Sequence, residues 1–295
     1  MTTISVCTLT CNRRIFIPTL IKCFNSQTYP KHLIEWVILD DGIKPVGDLF
    51  KNVPNAKYYR INEKLKLGKK RNLAHSYCKN EIIVYMDDDD YYPPDRIKEA
   101  VLMLESNPKI LIAGSSKMYM YYTHIDKIYE LGPYGKNHST AGTFAFRREL
   151  LKKTQYEDEA ERAEEKYFLK NYTFPMVQLN PLKTILVISH EKNTFDKKQM
   201  IGNGKRFKMK KTNFKLKKFI RDSKIRKFYQ VTIKKFHEKL KKKELTLNNQ
   251  QTDQPPTKQL TIPPPTEPTN PLPSIEQPKT TTENIINNII KENII

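Results

Sequence analysis

Apolar residues alternate between short runs and helical stripes along the first two thirds of the chain. Residues 4–10 (ISVCTLT) read as a first strand, and Ile17, Leu20, Ile21 and Phe24 recur at the three- and four-residue spacing of a buried helical face. The pattern repeats, with strands expected at 34–40 (IEWVILD), 58–61 (YYRI) and 81–87 (EIIVYMD) and a helix over 69–79. Pro93 and Pro94 open a further helix, 95–105, because proline fits a first helical turn, and 109–115 (KILIAGS) supplies another strand. Runs such as IIVYM are apolar without alternation and belong to strands covered on both faces, so helices are expected on each side of a mixed α/β sheet. The tyrosine-rich stretch 118–130 reads as a hairpin or an irregular lip, closed by Gly132, Pro133 and Gly135. Its rings suit core packing or stacking on a sugar. Residues 157–170 read as an amphipathic helix with an acidic first turn, and 182–189 as a late strand ending at His190.

Beyond this region the pattern changes twice. From 214 to 243 Tyr229, Ile233, Phe236 and Leu240 keep helical spacing among many lysines, which predicts a basic helix with one apolar stripe. Nine of the 19 prolines then fall between 255 and 278 among threonines and glutamines, a composition that builds no core and predicts a disordered tail. Three parts are therefore expected: a catalytic domain over 1–200, a basic, mainly helical appendage over 201–245, and a Pro/Thr/Asn-rich tail over 246–295.

Charge sharpens that division. The net charge of +20 is local: residues 191–243 hold 21 lysines and arginines against four acids, while the tail is slightly acidic. The segment could meet an anionic membrane surface, an acidic acceptor or nucleic acid, although no zinc finger, glycine-bracketed RNA loop or helix-turn-helix accompanies it. Cys7, Cys11, Cys23 and Cys78 lie on strand ends and helix faces and do not form a disulfide pattern, so a reducing, cytoplasmic setting is expected. Neither a signal-peptide pattern nor a run of 18 apolar residues is present.

The polar residues worth attention cluster where the strands end, which is where open α/β sheets bind ligands. Asp87, Asp88, Asp89 and Asp90 follow a buried strand directly. Four adjacent carboxylates raise each other's proton affinity unless a cation compensates, and Mg2+ or Mn2+ with a diphosphate and water does so. A solvated acidic loop is the plainer alternative. Asp40-Asp41-Gly42 reads as a turn whose carboxylates could also accept from a base or ribose. Gly68, Lys69, Lys70, Arg71 and Asn72 open a helix whose amides would favour phosphate. Glu164 and Glu165 lie in an acidic run that could equally be a solvated helix face, and His190 could be an ordinary buried histidine.

The segments TLTCNRR, LDDG, KLGKKRNLA, YMDDDDYYPPDRI, TAGTFAFRREL and AEEKYFL, in this order, resemble the family-two glycosyltransferases over about residues 3–195. That resemblance implies a GT-A, Rossmann-like fold with a mixed central sheet. It assigns Thr8, Asn12 and Asp41 to the nucleoside pocket together with Asp40, and Lys69 and Arg71 to the nucleoside or diphosphate. It places the family's Asp-x-Asp motif within Asp87–Asp90, with Asp87 and Asp88 toward the donor and Asp89 and Asp90 toward the metal. Glu165, or its neighbour Glu164, becomes the base that deprotonates an acceptor hydroxyl. His190 completes the metal site, and Thr143 beside Gly142 lines the donor-sugar side.

The function implied is metal-dependent, inverting transfer of a hexose from a nucleotide-diphosphate sugar to a hydroxyl on a glycan, protein or lipid. A nucleotidyltransferase of nucleotide-sugar synthesis and a non-enzymatic nucleic-acid-binding protein are the competing classes. The first lacks support because TCNRR stands where a glycine- and arginine-rich phosphate loop is expected. Abundant lysine, asparagine, isoleucine and tyrosine with an appended Thr/Pro tract would suit a large DNA virus, with a host-cytoplasm or virion location, or an AT-rich microbe. Donor sugar, acceptor, linkage and oligomeric state are not encoded in these motifs.

Overall fold

The computed structural model describes residues 1–252 apart from 162 and 194, with side chains as far as residue 242. A compact unit spans Met1–Ile233, and a second unit begins at Lys234. Within the second unit the chain continues a helix as far as Thr252. Of the tail expected over 246–295, residues 246–252 continue this helix in place of a disordered start, and the rest lies outside the described residues.

Seven strands form the main sheet in the order β3-β2-β1-β4-β8-β5-β9. They are β1 (Ile4–Thr10), β2 (Ile34–Asp40), β3 (Ala56–Arg60), β4 (Ile82–Tyr85), β5 (Ile112–Gly114), β8 (Ala145–Arg147) and β9 (Met176–Gln178). β1 pairs in parallel with both β2 and β4, and β8 runs antiparallel between β4 and β5, so the sheet is mixed. A second sheet has the order β10-β6-β7-β11, from β6 (Met118–Tyr122), β7 (Lys127–Leu131), β10 (Leu186–Ser189) and β11 (Met209–Lys211). The tyrosine-rich stretch is thus the hairpin β6–β7, and Tyr119, Tyr121 and Tyr122 are buried in the core.

Helices α1 (Ile17–Asn25), α2 (Leu67–Tyr77) and α3 (Arg96–Glu105) follow β1, β3 and β4. α1 presents Ile17, Leu20, Cys23 and Phe24 to the core, and Phe24 stacks on Trp36 of β2 at 4.2 Å. Shorter helical pieces are α4 (Glu165–Phe168), α5 (Pro181–Thr184) and α6 (Ser223–Lys227), and α7 (Ile233–Thr252) begins after a π turn over Phe228–Thr232. An isolated bridge between Tyr91 and Leu186 joins the aspartate loop to the start of β10.

Two sequence expectations change here. The helix over 157–170 shrinks to the single turn α4, because the preceding residues form a strap along α2. The amides of Gly68 and Lys69 donate to the carbonyls of Ala160 (2.9 Å) and Asp158 (3.2 Å), and the Asn72 amide group donates to Tyr156 O (2.8 Å). A Cβ on Gly68 would stand 1.8 Å from Glu157 O, so only glycine lets the strap lie so close. The catalytic unit also does not end near 200. Leu216, Phe219, Ile220, Ile225, Tyr229 and Ile233 are all buried in the core, and β11 pairs with β7, so residues 201–233 of the expected appendage belong to the first unit. Of the expected apolar stripe, Tyr229 and Ile233 pack into this core, while Phe236 and Leu240 belong to the second unit.

Candidate active site

The carboxyl ends of β1, β2 and β4 gather most of the polar residues singled out above. β4 ends in the aspartate loop, and the bridge of Tyr91 to Leu186 aligns that loop with β10. Asp90 accepts from the Ile188 amide at 2.7 Å, and two residues further on His190 Nε2 lies 3.0 Å from Asp89 Oδ2. Residues 101 positions apart thereby form one pair. The Asn193 side chain donates to the same Asp89 oxygen at 3.2 Å, and Arg13 Nη2 stands 3.7 Å from it.

Electrostatics separate the four aspartates. Burial pushes the Asp88 carboxyl up to about 7, helped by the charge of Asp89. Burial also raises Asp87 against the pull of Arg71. Asp89 goes the other way: burial would raise it, but the His190 hydrogen bond and the Arg13 charge hold it well below the usual carboxylate range. Burial lowers His190 despite its contact with Asp89, which favours the neutral imidazole a metal requires. Asp90 is different in kind. It is 5% exposed, its carboxylate is taken by the Ile188 amide, and its carbonyl accepts from Tyr229 OH at 3.0 Å. It anchors the loop, and the structure moves it from ligand to support.

Hard carboxylate oxygens with one neutral imidazole fit Mg2+ or Mn2+. Burial raises the Asp87 and Asp88 carboxyls, so a cation beside them would favour their ionised forms. Among the described residues no three His, Cys, Asp or Glu side chains form a closed ligand set. Asp89 and His190 are the pair that could hold the ion, with the rest of its shell coming from substrate oxygens and water.

At the end of β2, Asp41 is buried and accepts from the Leu65 amide (3.0 Å), Lys70 Nζ (2.5 Å) and Lys64 Nζ (3.2 Å). Burial would raise its carboxyl, but Lys70 outweighs it and the group sits below its ordinary value. Lys70, buried through its charge pair, is the member of the helix-opening basic cluster that the family resemblance passed over in favour of Lys69, which is exposed. Asn12, in a left-handed conformation, accepts from the Ile43 amide at 2.9 Å and ties β1 to the turn after β2. A Cβ on Gly42 would come 2.5 Å from the Asn12 nitrogen, so the tight approach requires glycine.

Several resemblance-based assignments become structural. Thr8 is fully buried, donating to Met86 O (2.7 Å) and accepting from the Trp36 indole (2.9 Å), so it offers no group to a ligand. Asp40 is fully buried and accepts from Gly42 N, Val46 N and Tyr58 OH, closing the turn. Thr143 is fully buried among Ser115, Ser139 and the Thr140 carbonyl. Its neighbour Gly142 does reach the site, where a Cβ would come 2.8 Å from Asp87 Oδ2. The first amides of α2 are consumed by the strap, so they do not cradle phosphate.

Arg71 likewise turns inward. Its guanidinium lies over the Tyr85 ring at 4.7 Å and donates to Glu164 Oε1 at 2.9 Å, both partners buried. This separates the acidic pair that sequence alone left open. Glu164 is committed to Arg71, whereas Glu165 is half-buried and its carboxyl is pushed up to about 7 by burial and by the Glu164 charge. Arg71 also acts on Asp87, so the acid pair and the aspartate loop share one electrostatic neighbourhood.

Comparison with known proteins identifies the family and the fold. The model of Glycosyl transferase family 2 matches residues 5–155, just over half of the chain, and the chain belongs to that family. The amylovoran biosynthesis glycosyltransferase AmsE of Erwinia amylovora is 24% identical over 78 residues, 26% of this chain and 29% of that protein. Among solved structures, S. aureus TarS 1–349 in complex with UDP-GlcNAc superposes with a TM-score of 0.50 and 20% identity, over 65% of this chain and 60% of that one. The mannosyltransferase PcManGT from Pyrobaculum calidifontis, in complex with GDP-Man and Mn2+, gives 0.52 and 16% over 65% and 58%. The chain thus spans under two thirds of each relative, and the two structures establish a shared glycosyltransferase-like α/β fold.

Proposed function

We propose that this chain is a metal-dependent, inverting glycosyltransferase of the GT-A type, taking a hexose from a nucleotide-diphosphate sugar to a hydroxyl acceptor. The Asp89–His190 pair carries the reading, because a carboxylate held ionised and an imidazole held neutral meet at the strand ends, where the Tyr91–Leu186 bridge and the Ile188 amide on Asp90 join the aspartate loop to β10. Asp41, with Lys70 and Lys64 around it, supplies the polar wall for the nucleoside, and Asp87 lies between that wall and the sugar side at Gly142. Bound Mn2+ or Mg2+ would neutralise charge on the departing diphosphate. Glu165 takes the proton from the acceptor hydroxyl as its oxygen attacks the anomeric carbon opposite the leaving phosphate oxygen. The new glycosidic bond forms as the bond to that phosphate oxygen breaks, and configuration inverts. A positioned base of this kind contributes roughly 10²–10⁴-fold.

The domain limits proposed from the structure are 1–233 for the catalytic unit and a following basic helix. Turnover on a panel of nucleotide sugars with Mn2+, read by released nucleoside diphosphate, tests the activity. Asp89→Ala is expected to abolish turnover while leaving the unfolding transition in place. Full turnover in that variant would remove Asp89 from the metal site.

A further inference from the structure

A cavity of about 520 Å³ opens on the small sheet, and none of its lining residues belongs to the carboxylate cluster. Five cations converge on it from four chain segments: Lys127 opens β7, Lys211 closes β11, Lys215 and Lys217 lie on the turn that follows, and Arg226 comes from α6. Asp126 is the one carboxylate in the wall. Tyr121 OH donates to it at 2.7 Å and Gln230 at 3.3 Å; the Tyr121 hydrogen bond, with lesser help from Lys127 and Lys215, keeps it ionised.

None of the five cations forms an ion pair among the described residues. Arg226 is held by backbone instead, donating to the carbonyls of Ile220 (2.8 Å) and Arg221 (2.5 Å), so its charge is fixed in place without being neutralised. An excess of four positive charges around one concavity repels itself, and a bound anion relieves this.

We infer that this cavity is a binding site for a compact ligand carrying several closely spaced phosphate groups. The shape decides between ligand classes. The cavity is of small-molecule size, which suits a compact ligand, and guanidinium with ammonium donors suits phosphate oxygens. A phosphate-rich lipid headgroup and a soluble polyphosphorylated molecule share this chemistry. The inference does not depend on the proposed transferase reaction.

The test uses the full chain in EDTA, which suppresses metal-assisted binding at the carboxylate cluster, with inorganic tripolyphosphate as probe in calorimetry. Each lysine facing clustered anions is worth about fivefold in affinity, so Lys127→Gln/Lys215→Gln/Lys217→Gln is expected to weaken binding on the order of 100-fold at low salt. A control with the same charge change at exposed sites elsewhere, Lys51→Gln/Lys98→Gln/Lys109→Gln, is expected to change it less than about threefold. Sedimentation with phosphatidylcholine vesicles, with and without phosphatidylinositol bisphosphate, identifies the source. Pocket-dependent binding to the bisphosphate vesicles points to a lipid headgroup, and its absence alongside tripolyphosphate binding points to a soluble ligand. No tripolyphosphate binding, or equal loss in both triple variants, overturns the inference. Tighter binding and displacement by a single-stranded oligonucleotide overturns it as well, because the surface would then serve an extended polymer. Nucleoside diphosphate release, measured in parallel, is expected to be unchanged in the pocket variant, which keeps a failure here distinct from a failure of the transferase reading.

Discussion

Replacing Glu165 with glutamine should make the protein inactive and, at alkaline pH, more stable. The carboxyl is moved from an ordinary value of 4.5 to about 7 by burial and by the neighbouring Glu164 charge. A raised carboxyl pKa means that the folded state binds this proton more tightly than the unfolded chain. The group therefore favours folding while protonated below about pH 4.5, and this contribution is lost as pH rises toward 7. Above pH 7 the ionised side chain burdens the fold by at most about 3 kcal/mol, and by about half of that once solvent screening of a half-buried group is included. Glutamine has nearly the shape of the protonated acid and never ionises. Glu165→Gln should match wild type in thermal stability at pH 5 and exceed it at pH 8, at ~2–4 °C of Tm per kcal/mol for a unit of this size.

The same residue must be ionised to accept a proton, so kcat/KM should rise about tenfold per pH unit below 7 and level off above it. Glu165→Gln should lower kcat roughly 10²–10⁴-fold with donor affinity retained. Paired measurements settle the reasoning: thermal melts at pH 5 and pH 8, and a pH–rate profile on released nucleoside diphosphate. If the variant gains no stability at pH 8, or retains its rate, the strain at Glu165 is not that of a buried base and its role must pass to another group.

Other perturbations probe the supports around this centre. Glu164→Gln removes the adjacent charge, so the acid limb of the rate profile should move to lower pH, while the buried Arg71 left with a neutral acceptor should cost stability in a urea titration. Gly68→Ala puts a methyl group against Glu157 O and should displace the strap that leads into Glu164 and Glu165; a loss of ~1–3 kcal/mol with a lowered kcat is expected, and an unchanged kcat would show that the strap does not position the base. Tyr229→Phe deletes the hydrogen bond to the Asp90 carbonyl and should cost ~0.5–1.5 kcal/mol with weaker Mn2+ binding by electron paramagnetic resonance. A chain ending at residue 210 discards the buried side chains from Leu216 to Ile233 and should not fold cooperatively by calorimetry, in contrast to one ending at 252.

Strand and helix placement was largely legible in the sequence because burial imposes a period. Strands β1, β2 and β4 and helices α1 and α3 lie within a few residues of their expected positions, and the family assignment came from motifs at the strand ends. What a side chain does there was less legible. β1 is buried on both faces, so nothing in its pattern tells whether Thr8 points toward a ligand or toward Trp36. The choice between Lys69 and Lys70 is a rotation of about 100° on α2, set by Asp41 from a distant strand. Residues 157–161 have a helical composition, and only the unfilled space beside Gly68 shows why they lie as a turn-containing strap instead of a helix.

The C-terminal segment shows how a local charge pattern can conceal a structural role. Its lysines suggested an appendage, yet its apolar stripe closes the domain from behind the candidate metal pair. Phe228 meets Phe16 edge to face at 5.9 Å, Phe16 in turn lies 4.7 Å from the His190 ring, and the adjacent Tyr229 holds the carbonyl of Asp90. Both side chains come from the π turn, Phe228 against Phe16 on the imidazole side and Tyr229 on the aspartate side. The aspartate loop packs four carboxyl groups side by side and would spread if left alone. It is held instead by three independent ties: the Tyr91–Leu186 bridge, the Ile188 amide on Asp90, and Tyr229. Two come from β10 and one from the basic segment, all outside the region matched by the family model, so the residues that define the family depend for their geometry on a part of the chain that does not define it.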